Sequence, residues 1–354
     1  MKIRRFILVG IAALAACGGG GGGGSNQTGT ARTTIPPHAS LRVAADSLAK
    51  AGLIGSPRLF QLYAKLRRGD KSIRAGTYVL PRNLGWGGIL DALSGGRGLV
   101  RTVTIPEGFS VPQVVRVVSQ RLVVPPESVE AAVRDTTWLR YFDVPTPTLE
   151  GYLFPDTYTL PEGGTARELV ALIAHRFEQA WKKEWTARLD TIGLSRHDLL
   201  TLASIVEKEA KLPEERPVIA GVYMNRLRAG MRLQADPTVQ YVLPYHVTRL
   251  LYKDLRVQSK YNTYMHKGLP PGPIASPGTA SIVAALYPAN VPYRFFVAFP
   301  DGHHEFRVTE RQHDLIVGEA RKAWAAYWVQ HPPDTSATIE PPKKASAGTA
   351  HRLR

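Results

Sequence analysis

The chain has 354 residues, a formal net charge of +16 and a single cysteine. One cysteine excludes a disulfide framework within the chain, so stability has to come from a buried core. The Lys and Arg residues are scattered, with no zinc-ligand or helix-turn-helix pattern among them, so nucleic acid is not an expected partner.

Lys2, Arg4 and Arg5 precede an apolar run from Phe6 to Ala16. That run is short for a membrane span and has the form of an export signal. It ends at Leu14-Ala15-Ala16-Cys17, which resembles a bacterial lipobox and predicts an acylated Cys17 as lipid anchor. An ordinary signal or anchor segment with an incidental cysteine is the alternative. Residues 1–17 are therefore taken as the leader. Residues 18–34, opening with an unbroken glycine run from Gly18 to Gly24, are taken as a flexible tether. An exported basic chain suits anionic lipid headgroups or an anionic wall polymer, so the expected location is the cell envelope, membrane-anchored, on the extracytoplasmic side. No other apolar run approaches the length of a membrane span. From His331 onward Pro, Ser, Thr and Ala dominate, which predicts a disordered tail over residues 331–354.

Between tether and tail the pattern predicts a mixed α+β protein, with a small subdomain over residues 35–102 and a larger one over 103–330. Ile35 to Ser40 leads into an amphipathic stretch from Leu41 to Leu53, and Ile105 to Ser110 leads in the same way into Val114, Val115, Val117 and Val118. Both follow the order strand, turn, Ser N-cap, helix, as in a degenerate repeat. Residues 75–80 fit a strand and 89–93 a short helix. Small strand-helix-helix-strand units resemble LysM-type glycan-binding modules, although many α+β subdomains share the order. Residues 165–186 predict one long helix. Ser195, with Asp198 three residues on, predicts a capping box. It opens a helix whose apolar positions are Leu199, Leu202, Ala203, Val206 and Ala210. Residues 217–228 predict another helix, ending near Gly230. The chain is then loop-rich through 269–273 and 276–278, and residues 294–299 fit a buried strand.

Glu207 falls four residues after Ala203 and three before Ala210, on the margin of that apolar face. Burial disfavours a charged carboxyl, which suits a general acid near neutral pH. A Glu that bonds a neighbouring loop, or reaches to water, is the alternative. Glu209 should point the other way, to solvent beside Lys208, as a bystander. The loops add Gln234, Asp236 and Thr238, then Tyr261, Asn262, Thr263 and Tyr264, with Ser276 in the Pro/Gly segment and Glu150 and Tyr152 upstream. Aromatic rings interleaved with amides, acids and hydroxyls suit sugars, and these are the candidate substrate-binding residues. Each also has an ordinary use in a turn or a core. The histidines are dispersed and no His/Cys set has ligand spacing, so neither metal nor cofactor is expected.

Six segments occur in one order: residues 150–158, Ala203-Ser204-Ile205-Val206-Glu207-Lys208-Glu209, Asn225-Arg226-Leu227, residues 234–239, Tyr261-Asn262-Thr263-Tyr264 and residues 268–278. The series resembles the YceG-like family of endolytic murein transglycosylases, from about Ile35 to Trp328. The resemblance implies that Glu207 is the catalytic residue and that the N-terminal part is LysM-like. It also implies cleavage of the β-1,4 bond from N-acetylmuramic acid to N-acetylglucosamine in peptidoglycan strands, with a 1,6-anhydro end and no water consumed. One carboxyl serves as acid and then as base, unlike the two-carboxylate arrangement of most glycosidases. Work beside glycan-polymerising cell wall proteins, ending nascent strands, is implied as well. Two rivals remain at this stage: a hydrolysing muramidase with Asp236 as second carboxylate, and a non-catalytic wall-binding protein. His304-Glu305-Phe306 matches the family's late His-x-Phe element. His303 and Glu305 depart from its commoner residues and receive no role, and the lipobox-like Cys17 departs from its usual uncleaved N-terminal helix.

Overall fold

The computed structural model describes residues 29–67, 73–244 and 250–331. The leader, Cys17, most of the tether and the tail beyond His331 lie outside the described residues. The chain forms two compact units: one runs to Thr102 and takes in Thr159–Gly164, and the other comprises Val103–Tyr158 and the chain from Thr165.

In the first unit the order is β1 (Thr30–Ile35), α1 (Leu41–Lys50), α2 (Pro57–Leu66), β2 (Gly76–Pro81), α3 (Trp86–Gly95) and β3 (Leu99–Ile105). β1 pairs antiparallel with β2, Ala31 opposite Leu80 and Thr33 opposite Tyr78. β2 pairs antiparallel with β3, and the end of β4 (Asp156–Pro161) completes the order β1-β2-β3-β4. β1 corrects the expected tether, because residues 30–34 belong to the sheet. Ala31, Thr33 and Ile35 alternate inward while Arg32 and Thr34 face out, a half-buried strand that the glycine-rich context obscured. The core joins Ala31, Ile35, Leu48, Leu53, Phe60, Tyr78, Ile89 and Leu93. Tyr78 is buried because its hydroxyl has acceptors, the carbonyls of Arg74 at 2.7 Å and Leu93 at 3.2 Å. Ser40 and Ser56 cap α1 and α2, each accepting from the N–H three residues on.

The second unit contains α4 (Val111–Leu122), α5 (Pro126–Val133), α6 (Thr136–Tyr141), α7 (Ala166–Ala180), α8 (Lys183–Ile192), α9 (Arg196–Glu209), α10 (Arg216–Arg228), α11 (Asp236–Val242) and α12 (Thr279–Leu286). An antiparallel hairpin of β5 (Phe295–Ala298) and β6 (His304–Arg307), then α13 (Glu310–Gln330), follow. The long helix expected over residues 165–186 is two helices. Trp181 takes an extended ψ of 112° and ends α7, and its indole N–H bonds the Thr186 hydroxyl at 2.9 Å. β5 is half-buried rather than buried. Among the described residues no helix is long and apolar enough to cross a membrane.

α9 packs against α8, α10, α11 and α12. Every residue from Leu199 to Val206 is buried, so the helix is buried all round rather than along one stripe. Two polar side chains pass inside because they are bonded: Thr201 donates to the His197 carbonyl at 2.8 Å, and Ser204 donates to the Thr201 carbonyl at 2.8 Å while accepting from Ile274 N–H at 3.0 Å. The last bond ties the Pro/Gly loop to the central helix.

Candidate active site

The C-terminal turn of α9 holds two carboxyl groups in different surroundings. The Glu207 side chain is 8 % exposed and is held from several sides. Its Oε2 accepts from Gly278 N–H at 3.0 Å and from the Ser281 hydroxyl at 2.7 Å. Arg216 stands 3.8 Å from Oε1, and its Nε–H donates to the Ser281 oxygen at 3.1 Å. Ser281 thus relays the Arg216 guanidinium to Glu207. Gly278 is the N-cap of α12, so the carboxylate also meets the positive end of that helix. These bonds tie the end of α9 to the start of α12.

Glu107 lies against the same assembly. Paired bonds of 2.8 Å, Gly108 N–H to the Ser276 carbonyl and Ser276 N–H to the Phe109 carbonyl, bring its turn there. Lys208 donates to the Gly108 carbonyl at 3.3 Å. The Glu107 carboxyl sits where a side chain on Gly278 would have to go. Burial raises its pKa first and the Glu207 charge raises it further, with Arg216 opposing. In the sequence Glu107 is marked only by its place in the turn between Ile105 and Ser110.

Glu209 departs from its expected direction. Because α9 is buried on both sides, the direction opposite Glu207 is not solvent. Glu209 Oε1 accepts from the Tyr223 hydroxyl at 2.6 Å, and Tyr223 is buried. The carboxyl is pushed up to about 7, chiefly by burial; the Tyr223 bond opposes that shift, Asp236 adds to it and Arg226 opposes it. The residue is largely buried yet keeps some surface open to solvent, and a pKa near 7 is that of a group able both to donate and to accept a proton.

The loops singled out from the sequence converge on Glu209. Tyr264 donates its hydroxyl to Asp236 at 2.5 Å, and burial raises the Asp236 pKa while that bond lowers it. Asp236 keeps an exposed face. Arg226 stands behind, donating to the carbonyls of Leu233 at 2.6 Å and Arg294 at 2.5 Å, and its charge acts on Glu209, Tyr223 and Tyr264. Gln234 is exposed with φ of 49°, a left-handed conformation uncommon outside glycine, and its N–H bonds the Thr263 carbonyl at 3.1 Å.

Several expected substrate contacts are instead buried supports. Thr238 and Thr263 share a hydroxyl bond of 2.9 Å, and Thr263 accepts from Ala235 N–H at 2.9 Å, which locks the loop of Asp236 to that of Tyr264. Asn262 donates to the carbonyls of Leu255 and Val257 and accepts from Tyr264 N–H at 3.0 Å. Tyr152 is buried among Phe142, Phe177 and His197, with its hydroxyl 3.0 Å from His197 Nδ1. Glu150 accepts twice from Val111 N–H at the start of α4 and once from Tyr241 at 3.2 Å; burial raises its pKa to about 7. Tyr261 packs on Tyr241, ring centres 5.0 Å apart. Ser276 works through its backbone, and its buried hydroxyl has no partner. Of the ten, Asp236 and Tyr264 interact electrostatically with Glu209, and Gln234, Asp236 and Tyr264 keep surface open to solvent. His304 of the late motif is buried and bonds Glu215, with Nδ1 2.6 Å from Oε2. Among the described residues no three His, Cys, Asp or Glu groups gather as a metal site.

The profile of the YceG-like family matches residues 33–319. An endolytic murein transglycosylase of Bacillus subtilis is 33 % identical over 323 residues, covering 87 % of this chain and 89 % of that protein. One from Streptococcus pneumoniae is 29 % identical over 317 residues, covering 80 % of this chain and 57 % of its own length. A crystal structure of a YceG-like protein from Listeria monocytogenes superposes with a TM-score of 0.57 at 30 % identity, covering 82 % of this chain and all of that one.

Proposed function

The chain belongs to the YceG-like family, and on that premise we propose that it is an endolytic peptidoglycan lytic transglycosylase whose acid and base is Glu209. The observation that carries the choice is the Glu209 carboxyl, bonded by Tyr223 at 2.6 Å, raised to about 7 and grouped with Asp236 and Tyr264 at a half-open position. Protonated Glu209 gives its proton to the glycosidic oxygen as the bond from C1 of N-acetylmuramic acid breaks. The carboxylate so formed takes the proton of the sugar's own C6 hydroxyl, and O6 closes on C1 as a 1,6-anhydro ring. The acid is regenerated and no water is used. Asp236 and Gln234 offer polar groups to sugar hydroxyls, and Tyr264 holds Asp236 in place.

Glu207, the residue expected from the sequence, is the second reading, favoured by its low exposure within the same motif. Its carboxyl is already engaged by Gly278 N–H, the Ser281 hydroxyl and Arg216, contacts that tie α9 to α12, and no sequence-predicted substrate residue is bonded to it. Glu209→Gln and Glu207→Gln separate the two. If Glu209 is the acid, the first variant folds normally and loses turnover, whereas the second loses stability more than turnover.

The same proposal extends to the rest of the chain. The β1-α1-α2-β2 order of the first unit supports a LysM-like role in holding glycan. Anchoring through Cys17 or the apolar segment before it would keep the enzyme at the membrane. There it would cut nascent strands beside the glycan-polymerising machinery and so end their growth.

A further inference from the structure

α2 is apolar on two sides. Phe60 and Ala64 turn into the core of the first unit, while Leu59, Leu62 and Leu66 are 56 %, 57 % and 78 % exposed. Positions i, i+3 and i+7 of a helix share one face, so the three leucines form a stripe pointing away from that core. Basic side chains border it: exposed Arg58 and Lys65 on one side, and on the other Arg67, whose guanidinium lies 5.5 Å from the centre of the Tyr63 ring. The helix, Pro57–Leu66, contains no Asp or Glu. A leucine stripe edged by cations, with an amphipathic tyrosine alongside, is the form of a helix lying in a bilayer interface.

We propose that α2 docks on an anionic lipid surface, its leucines entering the headgroup boundary and Arg58, Lys65 and Arg67 meeting lipid phosphates. Charge decides between this occupant and a second copy of the chain. A two-fold pairing through the stripe would set each copy's cations against the other's, whereas anionic lipid neutralises them. Chain length permits the docking: Cys17 and Thr30 are 13 residues apart, so an anchor at Cys17 keeps β1 within about 45 Å of the membrane. The docking does not rest on the catalytic reading.

The test uses the full chain carrying Cys17→Ser and Leu62→Cys, with an environment-sensitive fluorophore at position 62, reconstituted in vesicles containing brominated lipid. Glu127→Cys, an exposed site on α5 of the other unit, carries the control label. On vesicles containing phosphatidylglycerol, the label at 62 shifts to the blue and is quenched, and the control label is not. Each charge removed in Arg58→Gln, Lys65→Gln and Arg67→Gln lowers the docked-to-undocked ratio about fivefold, as does replacing phosphatidylglycerol by phosphatidylcholine in part. A label at 62 that stays in water on anionic vesicles overturns the proposal. So does quenching indifferent to lipid charge, or a blue shift without lipid that grows with protein concentration, which would identify a second copy as the occupant.

Discussion

Tyr223→Phe isolates the contact on which the Glu209 assignment rests. The substitution keeps the ring in its buried place and removes only the hydroxyl that donates to Glu209 Oε1 at 2.6 Å. A hydrogen bond to a charged group contributes about 1.5–3 kcal/mol. Because residue 209 keeps some surface open to solvent, the lower part of that range applies, about 1.5–2 kcal/mol. The bond favours the carboxylate, so its loss raises the carboxyl further above its present value of about 7, by roughly one pKa unit. A general acid must be protonated, and activity falls as pH rises through its pKa. The alkaline limb of kcat/KM for peptidoglycan digestion, followed from pH 5 to 10, should therefore move about one unit upward in Tyr223→Phe. A limb that stays in place or moves down would refute the reasoning, since a merely structural tyrosine would change amplitude and leave the limb where it was.

Glu150 sets a stability test with a definite sign. Its carboxyl is fully buried and raised to about 7 from 4.5. The folded protein therefore binds this proton more tightly than the unfolded chain, and the stability linked to it is full below about 4.5 and lost as pH rises towards 7, on the order of 3 kcal/mol. Glu209 acts in the same direction. Glu150→Gln should flatten the fall in thermal midpoint between pH 4.5 and 7.5; an unchanged slope would count against it. Ser281→Ala breaks the link from Arg216 to Glu207 and should cost about 1–2 kcal/mol in denaturant unfolding, with the alkaline limb of activity unmoved. In Gly221→Ala the new Cβ would stand 2.5 Å from the Ala289 carbonyl oxygen, a backbone atom. The expected loss is about 1–3 kcal/mol, and a variant as stable as wild type would show that the residues around Ala289 yield freely.

Much of this was legible in the sequence because the signals are local. Ser40, Ser110 and Ser195 begin helices as the N-caps their places predict, and the loops of Asp236 and Tyr264 are brought together. The solvent-facing direction expected for Glu209 fails for a physical reason. The direction opposite Glu207 was expected to be solvent, but α9 is buried all round from Leu199 to Val206, with Thr201 and Ser204 satisfied by internal bonds. Glu107 was unread because only the fold brings its turn to Ser276 and Gly278. Thr238, Asn262 and Thr263 were assigned to substrate on residue type, whereas their hydrogen bonds are spent on one another and on backbone. Amides and hydroxyls that shape a sugar site and those that touch the sugar look alike in a sequence.

The central claim is tested most directly by digesting purified peptidoglycan with wild type, Glu209→Gln and Glu207→Gln and weighing the new glycan ends. The expected result is wild-type ends lighter by one water than hydrolysed ends, none formed by Glu209→Gln, and the same light ends still formed by Glu207→Gln. Turnover by folded Glu209→Gln, or ends that have gained water, would contradict it.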